Sequence, residues 1–268
     1  MTSDAIPERK VYAPATVIRD TIQILPEATA ARLGLGRAGS SLPTQAVLDF
    51  NLDHARARDA VYTPLDFEAL ERRCSMLDLE LLRVESASPD RQTYLRRPDL
   101  GRRLSPTSRA NLAARMLVCP DVVIIVGDGL SSTAVQNGAA VLLMHLLPML
   151  QAMCLSLGPL VLASQARVAL ADEIGELLGA RMSIILVGER PGLSAADSLG
   201  AYLTLVPMRE RTDADRNCVS NIRPGGLDAE RAAFKLSWLV ERAFRAGATG
   251  VQLKDESDPD DFLARRLL

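Results

Sequence analysis

The chain has 268 residues, 48% of them hydrophobic and 24% charged, with a formal net charge of −2. That length can bury a full core in one large or two small domains, and the slight acidity excludes a general nucleic-acid binder, which would carry a basic excess. No apolar run reaches the roughly 20 residues of a membrane span, and the N-terminal MTSDAIPERKVYAPATVIRD lacks the apolar stretch of a secretory signal.

In chain order, residues 1–30 mix prolines and charges and read as a flexible N-terminal arm with one short amphipathic stretch, TVIRDTIQIL. Thr44 opens a helix through QAVLDFNLDHARARDAVY that Pro64 stops, and Asp66 caps a second helix, DFEALERRCSML. LELLRVES fits either a strand or a helix end. Residues 91–115 carry seven arginines (91, 96, 97, 102, 103, 109 and 115) against one acid, Asp99. They form either a solvated face or a contact for an acidic partner or a phosphate. From residue 118 the texture changes. VVIIV (122–126), PLVLAS (159–164), SIILV (183–187) and LGAYLTLV (199–206) read as strands. Helices follow the first two, the first capped by Ser131 or Ser132, and AERAAFKLSWLVERAFRAGATG closes the chain, its end marked by Gly247 and Gly250. Uniformly apolar strands alternating with helices predict a parallel sheet covered on both faces. The expected fold is therefore α/β, a Rossmann-like parallel sheet over 118–268 carrying a helical N-terminal domain over 31–117.

Four cysteines (Cys74, Cys119, Cys154, Cys218) lie far apart without a CxxC pair, which fits reduced thiols in the cytoplasm rather than a zinc or iron–sulfur centre. The two histidines, His54 in a charged run and His145 in an apolar one, have no neighbours at ligand spacing. Gly34-Leu35-Gly36-Arg37-Ala38-Gly39 spells GxGxxG, the one feature that favours an NAD(P)-dependent oxidoreductase. The preceding EATAARL reads as helix, however, whereas a dinucleotide loop must follow a strand.

Open parallel sheets bind ligands outside the carboxyl ends of their strands. Those ends here are Gly127-Asp128-Gly129, Ser164-Gln165-Ala166-Arg167-Val168 and Gly188-Glu189-Arg190-Pro191-Gly192; a further glycine loop, NCVSNIRPGG, precedes the last helix. None contains GK[ST], so no triphosphate cradle is spelled out, and Glu189 would repel a phosphate. A carboxylate placed there suits a neutral ligand rich in N–H donors. The plain alternatives are a Glu189–Arg190 salt bridge and an inert Cys218.

The blocks GLGRAGSSLPTQAVLDFNLDHARARDAVYTPLD, DRQTYLRRPDLGRRL, ADEIGELLGAR, VGERPGLSAADSLGAYLT and RNCVSNIRPGGL occur in one order over about residues 33–256. Together they resemble the small (light) subunit of ethanolamine ammonia-lyase. The resemblance implies one half of an adenosylcobalamin enzyme that turns ethanolamine into acetaldehyde and ammonia by a radical route. The corrin would lie between this chain's cobalamin-binding domain and a large, barrel-shaped subunit that holds substrate. Family cofactor contacts carried over by motif fall on Val168, Glu189 and Cys218, with no catalytic acid or base expected here. No DxHxxG motif occurs, so cobalt would keep the cofactor's own dimethylbenzimidazole. The family also implies residence within a bacterial microcompartment, with the N-terminal arm as address. A non-catalytic adaptor docking through the 91–115 arginines is the other alternative.

Overall fold

The computed structural model of the protein describes residues 17–18, 31–115 and 119–258. Nearly all of the expected N-terminal arm, and most of TVIRDTIQIL, lie outside the described residues. The chain divides into two compact units, one ending at Ala55 and one beginning at Arg56. In the first, GLGRAG is a run of irregular turns with isolated bridges from Arg37 to Ile18 and from Ala38 to Ser41. Residues 31–33 are irregular rather than helical, and no strand among the described residues runs into the loop. The strand–loop–helix geometry that a dinucleotide loop requires is therefore missing. Helix α1, Thr44–Tyr62, follows.

The second unit is built on one six-stranded sheet. Its elements are α2 (Phe67–Cys74), β1 (Leu81–Glu85), α3 (Arg91–Arg96), α4 (Pro106–Ala113), β2 (Val122–Gly127), α5 (Ser132–Ala152), β3 (Leu157–Ser164), α6 (Leu170–Leu177), β4 (Met182–Gly188), β5 (Leu199–Leu205), β6 (Asn217–Ile222) and α7 (Ala229–Ala246). The strand order is β1-β3-β2-β4-β5-β6. The class is α/β as expected, but the sheet is mixed. β1, β3, β2 and β4 are parallel, whereas β5 runs antiparallel to β4 and β6 antiparallel to β5. The connections explain the correction. A parallel crossover needs roughly a dozen or more residues, usually including a helix, and the Glu189–Ser198 link is shorter and contains none. NCVSNI, expected as loop, is the outermost strand, and LELLRVES supplies the opposite edge. Edge strands need no continuous apolar run, and β6 buries only Val219 and Ile222.

The pleat sorts the core. Val122, Ile124 and Val126 of β2 join a cluster with α5 and α7 on one face, while Val123 and Ile125 face α4 and α6 on the other. Helix ends follow local chemistry. Asp66 accepts from Ala69 N, Ser131 from Ala134 N and Asp228 from Arg231 N, and Gly247 ends α7 at φ +69°. By length and composition α5 is apolar enough to cross a membrane, contrary to the reading of apolar runs. Half of that stretch is buried within the fold, as befits the central helix of this layer.

Two buried carboxylates on α6 hold its flanks. Asp172 accepts from Arg216 Nη1 at 2.7 and 2.6 Å, both side chains being almost wholly buried. Glu173 accepts from Leu104 N at 2.9 Å and from the Arg109 guanidinium. Removing one partner of a buried pair leaves the other charge uncompensated. Asp172→Ala is expected to cost about 3–5 kcal/mol in equilibrium urea unfolding. An unchanged unfolding midpoint would show that the pair contributes nothing.

Candidate functional site

The sheet register brings the ends of β2, β3 and β4 to one edge, since Gly127 lies beside both Ala163 and Val187. The loops leaving that edge are packed with almost no clearance. A Cβ on Gly129 would sit 2.3 Å from Gly188 O, and one on Gly188 would sit 2.0 Å from Ser131 O. Both positions therefore require glycine on steric grounds alone, and Leu130 N donates to Gly188 O at 2.8 Å.

Asp128 fixes the neighbouring turn. Its buried carboxylate accepts from Gln165 N at 3.0 Å and Ala166 N at 2.9 Å, with Arg91 Nη1 at 3.7 Å. Burial raises the Asp128 pKa above the ordinary carboxylate value, against the pull of these backbone N–H groups and of Arg91. Arg91 also donates to Val61 O, Gly129 O and Leu130 O. Its role is structural, as is that of Tyr94, whose hydroxyl donates to Ala166 O at 2.9 Å beneath the Arg167 guanidinium.

These loops enclose a hollow of about 430 Å³ that Val168, Glu189, Tyr94, Arg167, Gly188 and Tyr202 help to line. Two of the three residues assigned from sequence, Val168 and Glu189, thus share one cavity. Cys218 does not line it but is one residue removed. It is the register partner of Tyr202 across the β5–β6 pair, and partners directly opposite project on the same face. The Tyr202 hydroxyl and the Cys218 thiol lie together on that face, and each perturbs the other's titration. Desolvation, then the interaction with Cys218, hold the Tyr202 pKa above that of a free phenol, so the ring is neutral. The Cys218 thiol is itself pushed up, first by desolvation from the atoms packed around it and also by the Glu189 charge, with the Tyr202 hydroxyl opposing. It is a protonated thiol at neutral pH.

Glu189 is not paired with Arg190; no salt bridge among the described residues joins them. Instead Oε2 accepts from the Ser198 hydroxyl and from Asn221 N at 3.3 Å, while its backbone N–H donates to Ser198 O. Oε1 lies over Gly200, where a Cβ would approach within 2.9 Å. The carboxylate is thereby oriented by β5 and β6, with one oxygen left for a ligand. Two buried polar atoms on the adjacent turn, Gln165 Oε1 and Arg167 Nε, have no hydrogen-bond partner among the described residues, and Gln165 is held at φ +52°. A left-handed non-glycine residue beside unsatisfied buried polar atoms makes this turn a candidate for ligand contact.

Ser198, Gly200 and Tyr202 were not singled out from sequence, and Asp128 was named only as part of the strand end Gly127-Asp128-Gly129. Asp128 carried a signal, as the one charge between two glycines after a buried strand. Gly200, Tyr202 and Thr204 form the less apolar phase of a two-residue alternation, which marks one face of β5 without disclosing what it meets.

The comparisons with known proteins converge. A family model described as ethanolamine ammonia-lyase light chain (EutC) matches residues 19–254. The chain is 52% identical to the ethanolamine ammonia-lyase small subunit of Rhodopseudomonas palustris, covering 90% of this chain and 92% of that protein. It is 52% identical to that of Bradyrhizobium diazoefficiens, over 91% and 94% of the two chains, and 51% identical to that of Azotobacter vinelandii, over 92% of each. A family match across most of the chain, together with identities near one half over nine-tenths of it, leaves one conclusion: this chain belongs to the ethanolamine ammonia-lyase small-subunit (light-chain) family.

Proposed function

We propose that this chain is the small subunit of an adenosylcobalamin-dependent ethanolamine ammonia-lyase, converting ethanolamine to acetaldehyde and ammonia, and that it grips the corrin jointly with a large subunit. The observation that carries the site assignment is the convergence of Val168 and Glu189 on one hollow, with Cys218 joined to it through Tyr202. In this reading the parallel β1-β3-β2-β4 core is the Rossmann-like, cobalamin-binding part of the fold, and the antiparallel β5–β6 pair supplies Tyr202 and Cys218 and orients Glu189. A cytoplasmic location, within a bacterial microcompartment, goes with the same reading.

The residues present fit the group. A corrin is rimmed with primary carboxamides, each offering N–H donors and a C=O acceptor. Gln165 Oε1 is an acceptor and Arg167 Nε a donor, both buried and without a partner among the described residues. The hydrogen bonds that Glu189 accepts from Ser198 and Asn221 fall on Oε2, leaving Oε1 as a further acceptor. Such unmet groups each cost about 1–3 kcal/mol when buried, which an amide-bearing ligand would recover. Small-molecule pockets run to about 300–1,000 Å³. A cobalamin is bulkier than a hollow of about 430 Å³, so this chain would hold part of it and a second polypeptide the rest.

When bound, the cofactor supplies the radical chemistry. The chain's own residues bind and orient. Val168 offers apolar packing, Glu189 accepts from amide N–H groups, and Cys218, held protonated by desolvation and by the Glu189 charge, lies beside Tyr202 at the edge of the hollow. A neutral thiol packs against a disc; only a thiolate would compete as a metal ligand. No acid or base for the reaction is assigned to this chain. Its contribution is placement of the cofactor and exclusion of water from reactive intermediates.

Co-purified with a large subunit and supplied with adenosylcobalamin, the chain is expected to give ethanolamine-dependent acetaldehyde. A complex that shows the visible absorption of bound corrin yet forms no acetaldehyde would overturn the assignment. Glu189→Ala is expected to weaken cobalamin binding roughly ten- to hundredfold, the worth of a charge-assisted hydrogen bond, with the unfolding midpoint unchanged; equal affinity removes Glu189 from the site. Because the Cys218 pKa lies above the ordinary thiol value of 9.0, its thiolate appears only as pH rises past that value. Alkylation of Cys218 by iodoacetamide, followed by peptide mass spectrometry, should be slower at pH 8 than that of a free cysteine peptide. It should slow further in Tyr202→Phe, because the phenol hydroxyl opposes the upward shift. A rate equal to the free peptide's would contradict the desolvation of the thiol, and a rate unchanged by Tyr202→Phe would contradict the phenol–thiol contact.

A further inference from the structure

The arginine-rich segment 91–115 is not used up by the site described above, and the structure sorts its members. Arg91 is tied to backbone carbonyls, Arg97 to Asp99, Arg109 to Glu173 and Arg115 to Glu80. Arg96, Arg102 and Arg103 have no such partner among the described residues. Two of these three, Arg102 and Arg103, line a cleft of about 610 Å³, and Arg209, likewise unpaired, lines it from the β5–β6 connection.

The other charges of the cleft are already matched. Arg216 is held by Asp172 and Asp213, Arg211 by Asp215, Asp99 by Arg97 and Glu173 by Arg109. Glu210 is the one carboxylate on the lining without a partner among the described residues. Three uncompensated guanidiniums therefore face one uncompensated carboxylate, a positive surplus on a chain whose net charge is −2. A general basicity of the surface does not explain it. The floor is rigid, because it rests on the buried Arg216–Asp172 pair and on Glu173 at the start of α6. The volume lies within the range of small-molecule sites. Forked guanidiniums on a fixed floor suit the tetrahedral oxygens of a phosphate, which they can hold two bonds at a time.

We infer that this cleft is a phosphate-binding site, with Arg102, Arg103 and Arg209 as its ligating residues. Two sources share that chemistry. One is the phosphodiester within cobalamin's nucleotide tail; Ala169 of the cleft adjoins Val168 of the hollow, and this source rests on the cofactor reading. The other is a separate phosphate-bearing small molecule, which does not.

The test uses the assembled complex of both subunits, with pyrophosphate titrated calorimetrically at fixed salt. Saturable binding is expected, weakened at least tenfold in R102Q/R103Q/R209Q and unchanged in R96Q, which removes an unpaired arginine outside the cleft. If the nucleotide tail is the occupant, the triple variant also loses affinity for adenosylcobalamin but not for adenosylcobinamide, which lacks the tail. If a separate molecule is the occupant, both corrinoids bind the variant as they bind the wild type. Absence of saturable pyrophosphate binding, or an equal loss in R96Q, would overturn the site. So would a triple variant that binds pyrophosphate normally but no longer assembles with the large subunit, which would make the cleft a protein-docking face. A wild-type complex that binds pyrophosphate but no corrinoid would refute the cofactor reading and leave the cleft standing.

Discussion

The carboxylate of Asp128 is the constraint on which the binding edge depends. It sits at the end of β2, is shut away from water, and draws the backbone N–H groups of Gln165 and Ala166 onto itself. A buried anion is tolerable only when its lone pairs are met and an opposite charge stands near. Arg91 provides the charge and, by spanning Val61, Gly129 and Leu130, locks the loop after β2 to the end of α1. With that loop fixed, the contact of Gly129 on Gly188 positions the turn bearing Glu189. The hollow is thus a product of charge burial at one point and of missing side chains at two others.

A second layer of control comes from the face of the sheet that carries α6. There the Ser198 hydroxyl and the Asn221 backbone fix one oxygen of Glu189, and a neutral phenol–thiol pair lies alongside. All these groups are polar yet uncharged apart from Glu189 itself. Arg167 and Arg190 also line the hollow, so its one carboxylate stands among cationic as well as neutral groups. The short stretch Arg167–Ala169 links this hollow to the neighbouring arginine-lined cleft.

Sequence and structure agree where the physics is local. Strands β2, β3 and β4 were readable because burial on both faces forces unbroken apolar runs. Asp66, Ser131 and Gly247 were readable because capping requires particular side chains at particular places. The direction of β5 was not, since it depends on the length of a helix-free link rather than on strand composition. The outermost strand β6 escaped notice because an edge position lets polar residues such as Asn217, Ser220 and Asn221 occupy it. The site divides in the same way. The turn after β4 announced itself through glycines flanking a carboxylate, whereas Val168 and Cys218 came from family resemblance alone. Ser198 and Tyr202 act across the sheet, and contacts of that kind leave no trace in the linear order of residues.

The antiparallel pairing of β5 with β6 has a consequence for how such a subunit can vary. Tyr202 and Cys218 meet because of strand phase, and phase in a pleated ladder changes only in whole steps. Sliding β6 by a single residue would turn the sulfur to the opposite side, towards α5 and α7, so no graded series of weaker geometries exists between the present one and none. Length changes in the intervening residues 206–216 leave that phase intact if the added chain bulges outward. Variation in length should therefore fall in this connector at positions other than Arg209, which lines the arginine-rich cleft, and Arg216, which is held by Asp172, while the two strands flanking it keep their length.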